Sequence, residues 1–113
     1  VNRGEAPLMI DFVPVLAALA DEAENLSEEE RAGRALDFHV TMAAAVAEVL
    51  HLLSALTGLR TAVLSGGVFQ NALLLEELLA YLEDFRVLLP HTVPPNDGGI
   101  AYGQAAVALA RMA

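Results

Sequence analysis

The chain contains no cysteine. That absence removes disulfide bridges, thiolate zinc sites and a cysteine nucleophile from its own chemistry, and the usage fits a cytoplasmic protein. Basic residues are scarce, with six Lys and Arg against fifteen Asp and Glu and a formal charge of -9. A surface of that sign repels phosphate backbones and anionic lipids, so no nucleic-acid partner and no membrane-surface role are expected. The acidic residues gather at Asp21 to Glu30 and at Glu76 to Asp84, where solvated helix faces and ends account for them better than a metal patch does. Aromatic residues make up only 5%. No Gly/Ser linker, internal repeat or low-complexity stretch divides the chain. No charged-then-apolar segment follows Val1, so no signal peptide is expected. The most apolar stretch, Leu36 to Leu56, is interrupted by Asp37, His39, Glu48 and His51, which reads as a buried helix of a soluble protein rather than a bilayer span.

What is abundant is aliphatic. The hydrophobic share of 56% exceeds the usual value of about 45–50%, and Ala, Leu and Val carry the excess. A chain of 113 residues that apolar is expected to turn part of its surface toward a missing domain or a second copy of itself. The reading is one partial domain, residues 1–113, mainly helical over 1–60 and strand–helix–strand–helix over 61–113.

In the first part, Leu8 to Ile10 suits a short edge strand. A helix is expected from Phe12 to Glu24, with Pro14 tolerated in its first turn. Ser27 and Glu30 form a capping box that predicts a helix start near Glu28. Gly33 is a point where that helix kinks or splits. From Ala35 to Leu56 two apolar faces are visible, which predicts a helix covered on two sides and stopped by Gly58. In the second part, Thr61 to Ser65 and Phe85 to Leu89 are short apolar runs. A helix over Asn71 to Asp84 separates them, and a last helix runs to Arg111. Alternation of this kind predicts parallel strands joined by a crossover. Two parallel strands are too few for a stable sheet, so others must come from elsewhere.

Two loops follow the two strands. In Ser65-Gly66-Gly67-Val68-Phe69-Gln70-Asn71 the glycines allow a tight turn and close approach of a ligand, ahead of a helix N-terminus. The plain alternative is a strand-to-helix turn capped by Asn71. Ser65 is not a nucleophile elbow, because Val63 stands where that motif needs glycine. In Pro94-Pro95-Asn96-Asp97-Gly98-Gly99, Asp97 either caps the last helix or binds a cation held by ligand phosphates. If the strands are parallel, both loops fall at their C-terminal ends, where ligands bind in open α/β sheets.

The strings SGGVFQN (Ser65 to Asn71) and PPNDGGIAYGQA (Pro94 to Ala105) resemble the two closing signatures of the HypF carbamoyltransferases. Asp37 to Ala43, with its Phe38-His39 pair, and Ile10 to Pro14 resemble upstream segments of the same family. Related tRNA threonylcarbamoyladenosine enzymes share the Gly-Gly-Val…Asn pattern, but usually carry Asp-Asn-Gly where this chain has Asn96-Asp97-Gly98.

The resemblance implies an α/β fold, the C-terminal lobe of an acetate-kinase/Hsp70/actin-like (ribonuclease H-like) architecture, helix-rich with few parallel strands. It implies a carbamoyltransferase that uses carbamoyl phosphate and ATP, by way of carbamoyl-adenylate, to carbamoylate the C-terminal cysteine of a HypE-like acceptor during [NiFe] hydrogenase maturation. By that likeness Gly66, Gly67, Asn71, Gly98 and Gly99 match nucleotide-binding positions, and Asp97 matches a ligand of a divalent metal. No catalytic residue is assigned. The partners implied are the acceptor and the remaining domains of the same enzyme, with a homo-oligomer as a further expectation. One departure matters: the family's metal site uses an H-x-x-x-H pair, and His39, His51 and His91 stand twelve and forty residues apart. The other metal ligands are therefore expected outside this chain, and the isolated chain is expected to be inactive. The three histidines read as packed or surface residues. The rival readings are a tRNA threonylcarbamoyl transferase-like domain and a non-catalytic dimerising module.

Overall fold

The structure is a computed structural model that describes residues 9–22 and 26–112. The chain divides into two compact units, one ending at Leu59 and the other beginning at Arg60.

Among the described residues the first unit holds two helices. Helix α1 spans Val13–Glu22. Its first turn is tied down by Asp11, whose Oδ1 accepts from the Val13 amide at 2.9 Å, and by the Phe12 carbonyl, which takes the Leu16 amide at 3.0 Å. Phe12 thus stands just outside the helix rather than opening it. The expected end at Glu24 lies outside the described residues, as does Leu8. Met9 and Ile10 are irregular rather than an edge strand, and among the described residues no strand pairs with them.

Helix α2, Glu28–Thr57, is one continuous helix of 30 residues. Its start is the expected capping box. Ser27 Oγ accepts from the Glu30 amide at 3.3 Å, and Glu30 Oε2 accepts from the Ser27 amide at 2.8 Å. Three glutamates in the first turn complement the positive end of the helix dipole. Gly33 does not split the helix. One glycine weakens a helix by about 1 kcal/mol, too little to break it against strong formers on both sides. Gly58 stops it at φ 74°, donating its amide to the Ser54 carbonyl at 2.8 Å.

The expectation that α2 is covered on two sides is not met by this chain. Ala43 and Ala47 are buried, but Leu36, Leu52, Leu53 and Leu56 are 44%, 44%, 39% and 65% exposed. Apolar periodicity shows which faces are built to be covered, not which polypeptide covers them. By length and mean hydropathy (1.7) α2 also satisfies the requirements of a bilayer-crossing helix. Asp37, His39, Glu48 and His51 lie along it, and an acidic group at a bilayer centre costs about 2.5–3.5 kcal/mol.

The second unit is built on two parallel strands, β1 (Thr61–Val63) and β2 (Arg86–Leu88). Thr61 pairs with Arg86, Ala62 with Val87 and Val63 with Leu88. The ladder gains one hydrogen bond at each end, from the Arg86 amide to the Arg60 carbonyl at 2.8 Å and from the Leu64 amide to the Leu88 carbonyl at 3.0 Å. Helix α3, Ala72–Tyr81, is the crossover. It ends earlier than Asp84, because residues 82–84 form a turn in which the Phe85 amide reaches the Leu82 carbonyl at 2.9 Å. Arg60 and Asp84 pair at 2.7 Å beside the strand entrances, an exposed contact worth about 0–1 kcal/mol.

The core of this unit is Ala62 and Leu64 from the β1 segment with Leu74, Leu78 and Leu82 from the α3 segment. Along β1 burial alternates, so Val63 is 69% exposed while its neighbours are buried. One face of the small sheet is bare. Helix α4, Ile100–Met112, has no buried residue.

Candidate functional site

Both strands deliver the chain to the same place. β1 runs into Ser65-Gly66-Gly67 and β2 into the proline-rich loop, and the two loops enclose one cleft of about 480 Å³. Gly66, Gly67, Asp97 and Gly99 line it, with Ser65, Pro94, Pro95 and Asn96. Parallel pairing is the reason: it puts both C-terminal strand ends at one rim. Asn71 and Gly98 are not in the lining.

In the first loop, Gly66 adopts φ 115°, ψ 158°, a backbone region that only glycine occupies without strain. A 3₁₀ turn, Gly67–Gln70, then separates the glycines from α3. The Phe69 amide donates to the Gly66 carbonyl at 3.2 Å and the Asn71 amide to the Val68 carbonyl at 3.1 Å. Because of this turn, Asn71 lies four residues beyond Gly67 at the mouth of α3. There its Oδ1 accepts from the Leu74 amide at 3.2 Å, which is the plain helix-capping role.

In the second loop the cap is Asn96, not Asp97. Asn96 Oδ1 accepts from the Gly98 amide at 3.0 Å, and the Asn96 carbonyl accepts from the Gly99 amide at 2.9 Å. The geometry is an Asx-turn, in which the acceptor two residues before the donor has the right reach. The signal was present in the sequence as Asn96-x-Gly98. Both glycine amides of this loop are therefore used within the chain. A Cβ on Gly99 would come within 2.7 Å of the Pro94 carbonyl oxygen and 2.9 Å of Val93 Cγ1. Glycine at 99 is thus required by the loop's own packing. Asp97, relieved of capping, exposes its carboxylate at the cleft.

One carboxylate is one metal ligand. Among the described residues no group of three or more His, Cys, Asp or Glu is placed to hold a metal ion. A divalent cation takes four to six or more donors, so Asp97 fits as a contributor and the chain alone does not complete such a site.

The histidines lie elsewhere. His39 is half-buried on α2, its ring edge-on to Phe38 with centroids 5.9 Å apart. His39 Nδ1 is 2.6 Å from the Ala35 carbonyl oxygen. A carbonyl only accepts, so Nδ1 carries the hydrogen in this arrangement. His51 and His91 are exposed.

A small parallel sheet with a crossover helix and two glycine turns at its C-terminal rim defines an α/β subdomain with a cleft at that rim. Residues 1–104 match the family described as "Carbamoyltransferase, Kae1-like Domain, second subdomain". The chain is 39% identical over 111 residues, 96% of its length, to carbamoyltransferase HypF2 of Cupriavidus necator. It is 36% identical over 103 residues, 91% of its length, to carbamoyltransferase HypF of Rhodobacter capsulatus. A HypF homolog of Cupriavidus necator is 39% identical over 104 residues, 87% of this chain and 26% of the relative. The chain belongs to the HypF carbamoyltransferase family. It spans 13% of the length of the first two of these relatives.

Proposed function

We propose that this chain serves as the nucleotide-holding C-terminal lobe of a HypF-type carbamoyltransferase, within a ribonuclease H-like domain whose other strands come from the rest of the enzyme. The observation that carries the reading is the convergence of Gly66, Gly67 and Asp97 on one cleft at the C-terminal rim of two parallel strands. The bare sheet face and exposed α4 agree with a lobe whose cover lies outside it. In the piece alone, a second copy would take that place.

In this reading ATP and carbamoyl-adenylate occupy the cleft. Gly66 and Gly67 let the ligand approach the backbone. The Gly67 amide, at the cleft wall, is one donor this loop can offer. In the second loop Gly98 and Gly99 act by shape, since Asn96 holds their amides. Asn71 acts from behind, holding the start of α3 and so the end of the first loop. Asp97 contributes one oxygen ligand to a divalent metal, whose other ligands belong to the remainder of the enzyme. A metal held there would supply charge neutralisation at the ligand's phosphate. The acceptor is a HypE-like protein carbamoylated on its C-terminal cysteine, and the enzyme works in the cytoplasm without nucleic acid or membrane.

The test is Asp97→Asn in the full-length enzyme, a change that keeps shape and removes charge. Carbamoyl transfer is expected to fall by about 10²-fold or more, the scale seen when one electrostatic contributor is removed from a site, with the unfolding temperature unaltered. Wild-type turnover and metal dependence in that variant would remove the assignment.

A further inference from the structure

We infer that Asn96 is the positioning residue of the cleft: it holds both glycine amides of the second loop and keeps that loop against the first. The inference deepens the nucleotide-site reading and rests on it. Residues 96–99 include two glycines, and such a segment is loose unless something ties it. The Asn96 side chain supplies one tie, Oδ1 to the Gly98 amide at 3.0 Å, and its backbone carbonyl, which any residue would offer, takes the Gly99 amide at 2.9 Å. It also faces the other loop, since a Cβ added to Gly67 would lie 3.7 Å from Asn96 Cβ. Asn96 is half-buried and lines the cleft.

The choice of side chain follows from electrostatics. Asp caps as well as Asn does, but a second carboxylate next to Asp97 would repel a polyphosphate and compete for any cation. A neutral carboxamide does the tying, and the one carboxylate is left to the cleft. If Asp97 made the cap, its charge would be spent on the backbone. The geometry therefore separates two roles that the adjacent positions share in the sequence.

The experiment uses the full-length carbamoyltransferase carrying this sequence, with ATP as the probe and thermal unfolding measured in parallel. Asn96→Ala is expected to raise the KM for ATP about tenfold, well within the effect of a small misplacement at a site, with little change in unfolding temperature. Asn96→Ser keeps a neutral side-chain acceptor for the Gly98 amide and is expected to recover most of that loss. An unchanged KM in Asn96→Ala overturns the inference, whether or not the unfolding temperature drops. Equal impairment of the Ala and Ser variants overturns it as well, because the carboxamide would then be contacting ATP itself. Asp97→Asn, assayed alongside, separates the two levels. If it impairs the enzyme while Asn96→Ala does not, only the positioning role fails. If neither change matters, the cleft is not the nucleotide site.

Discussion

Asn96 stands across from Gly67, and a Cβ added to Gly67 would lie 3.7 Å from Asn96 Cβ. That separation is an ordinary van der Waals contact, and Gly67 does not have the positive φ that marks Gly66. An alanine at 67 therefore fits the fold while adding a methyl group to a residue of the cleft wall. Gly67→Ala is expected to leave stability within about 0.5 kcal/mol of wild type, as for a change that breaks no packing, and to weaken ATP binding severalfold. Calorimetric titration and a thermal melt on the full-length enzyme check both halves.

Gly99 behaves in the opposite way. Its Cβ would sit 2.7 Å from a backbone oxygen, that of Pro94, which has no rotamer by which to move aside. Gly99→Ala is expected to destabilise by about 1–3 kcal/mol, the usual penalty of overpacking, whether or not ligand is present. Denaturant unfolding with and without ATP makes the comparison. A loss of affinity at full stability would show that Gly99 faces the ligand instead.

The start of α2 carries a pH dependence. Glu30 is held below its ordinary value of 4.5, first by the Ser27 amide, then by the Ser27 hydroxyl and by nearby Arg34. A carboxylate depressed in the folded state stabilises fully above its unfolded pKa. That contribution is lost as pH falls through the lower, folded value. The first turn of α2 is therefore expected to be whole at pH 7, to weaken as pH drops under 4.5 and to fray once pH passes the lower, folded value. Glu30→Gln keeps a side-chain acceptor for the Ser27 amide but removes the titration. Amide exchange at Arg31 and its neighbours should depend on acid in the wild type and much less in the variant.

Much of the local structure was legible because it rests on contacts between near neighbours. The capping box at Ser27 and Glu30, the left-handed stop at Gly58 and the parallel strand–helix–strand order each depend on residues a few positions apart or on a general rule of handedness. The fate of the apolar faces was not legible. Leu36, Leu56 and Val63 carry the pattern of covered residues and are exposed, because periodicity does not say which polypeptide supplies the cover.

The site divides in the same way. The sequence by itself determined that two glycine loops follow two strands, and that the chain carries the closing signatures of the HypF carbamoyltransferases. Only the tertiary structure decided which side chain does what within those loops. Asn71 turned to the α3 backbone, Asn96 rather than Asp97 took the cap, and the Gly98 and Gly99 amides were used internally. The physical reason is that a polar side chain next to unpaired amides will bond to whichever lies within about 3 Å, and that distance is set by the course of the backbone, which the order of residues does not display.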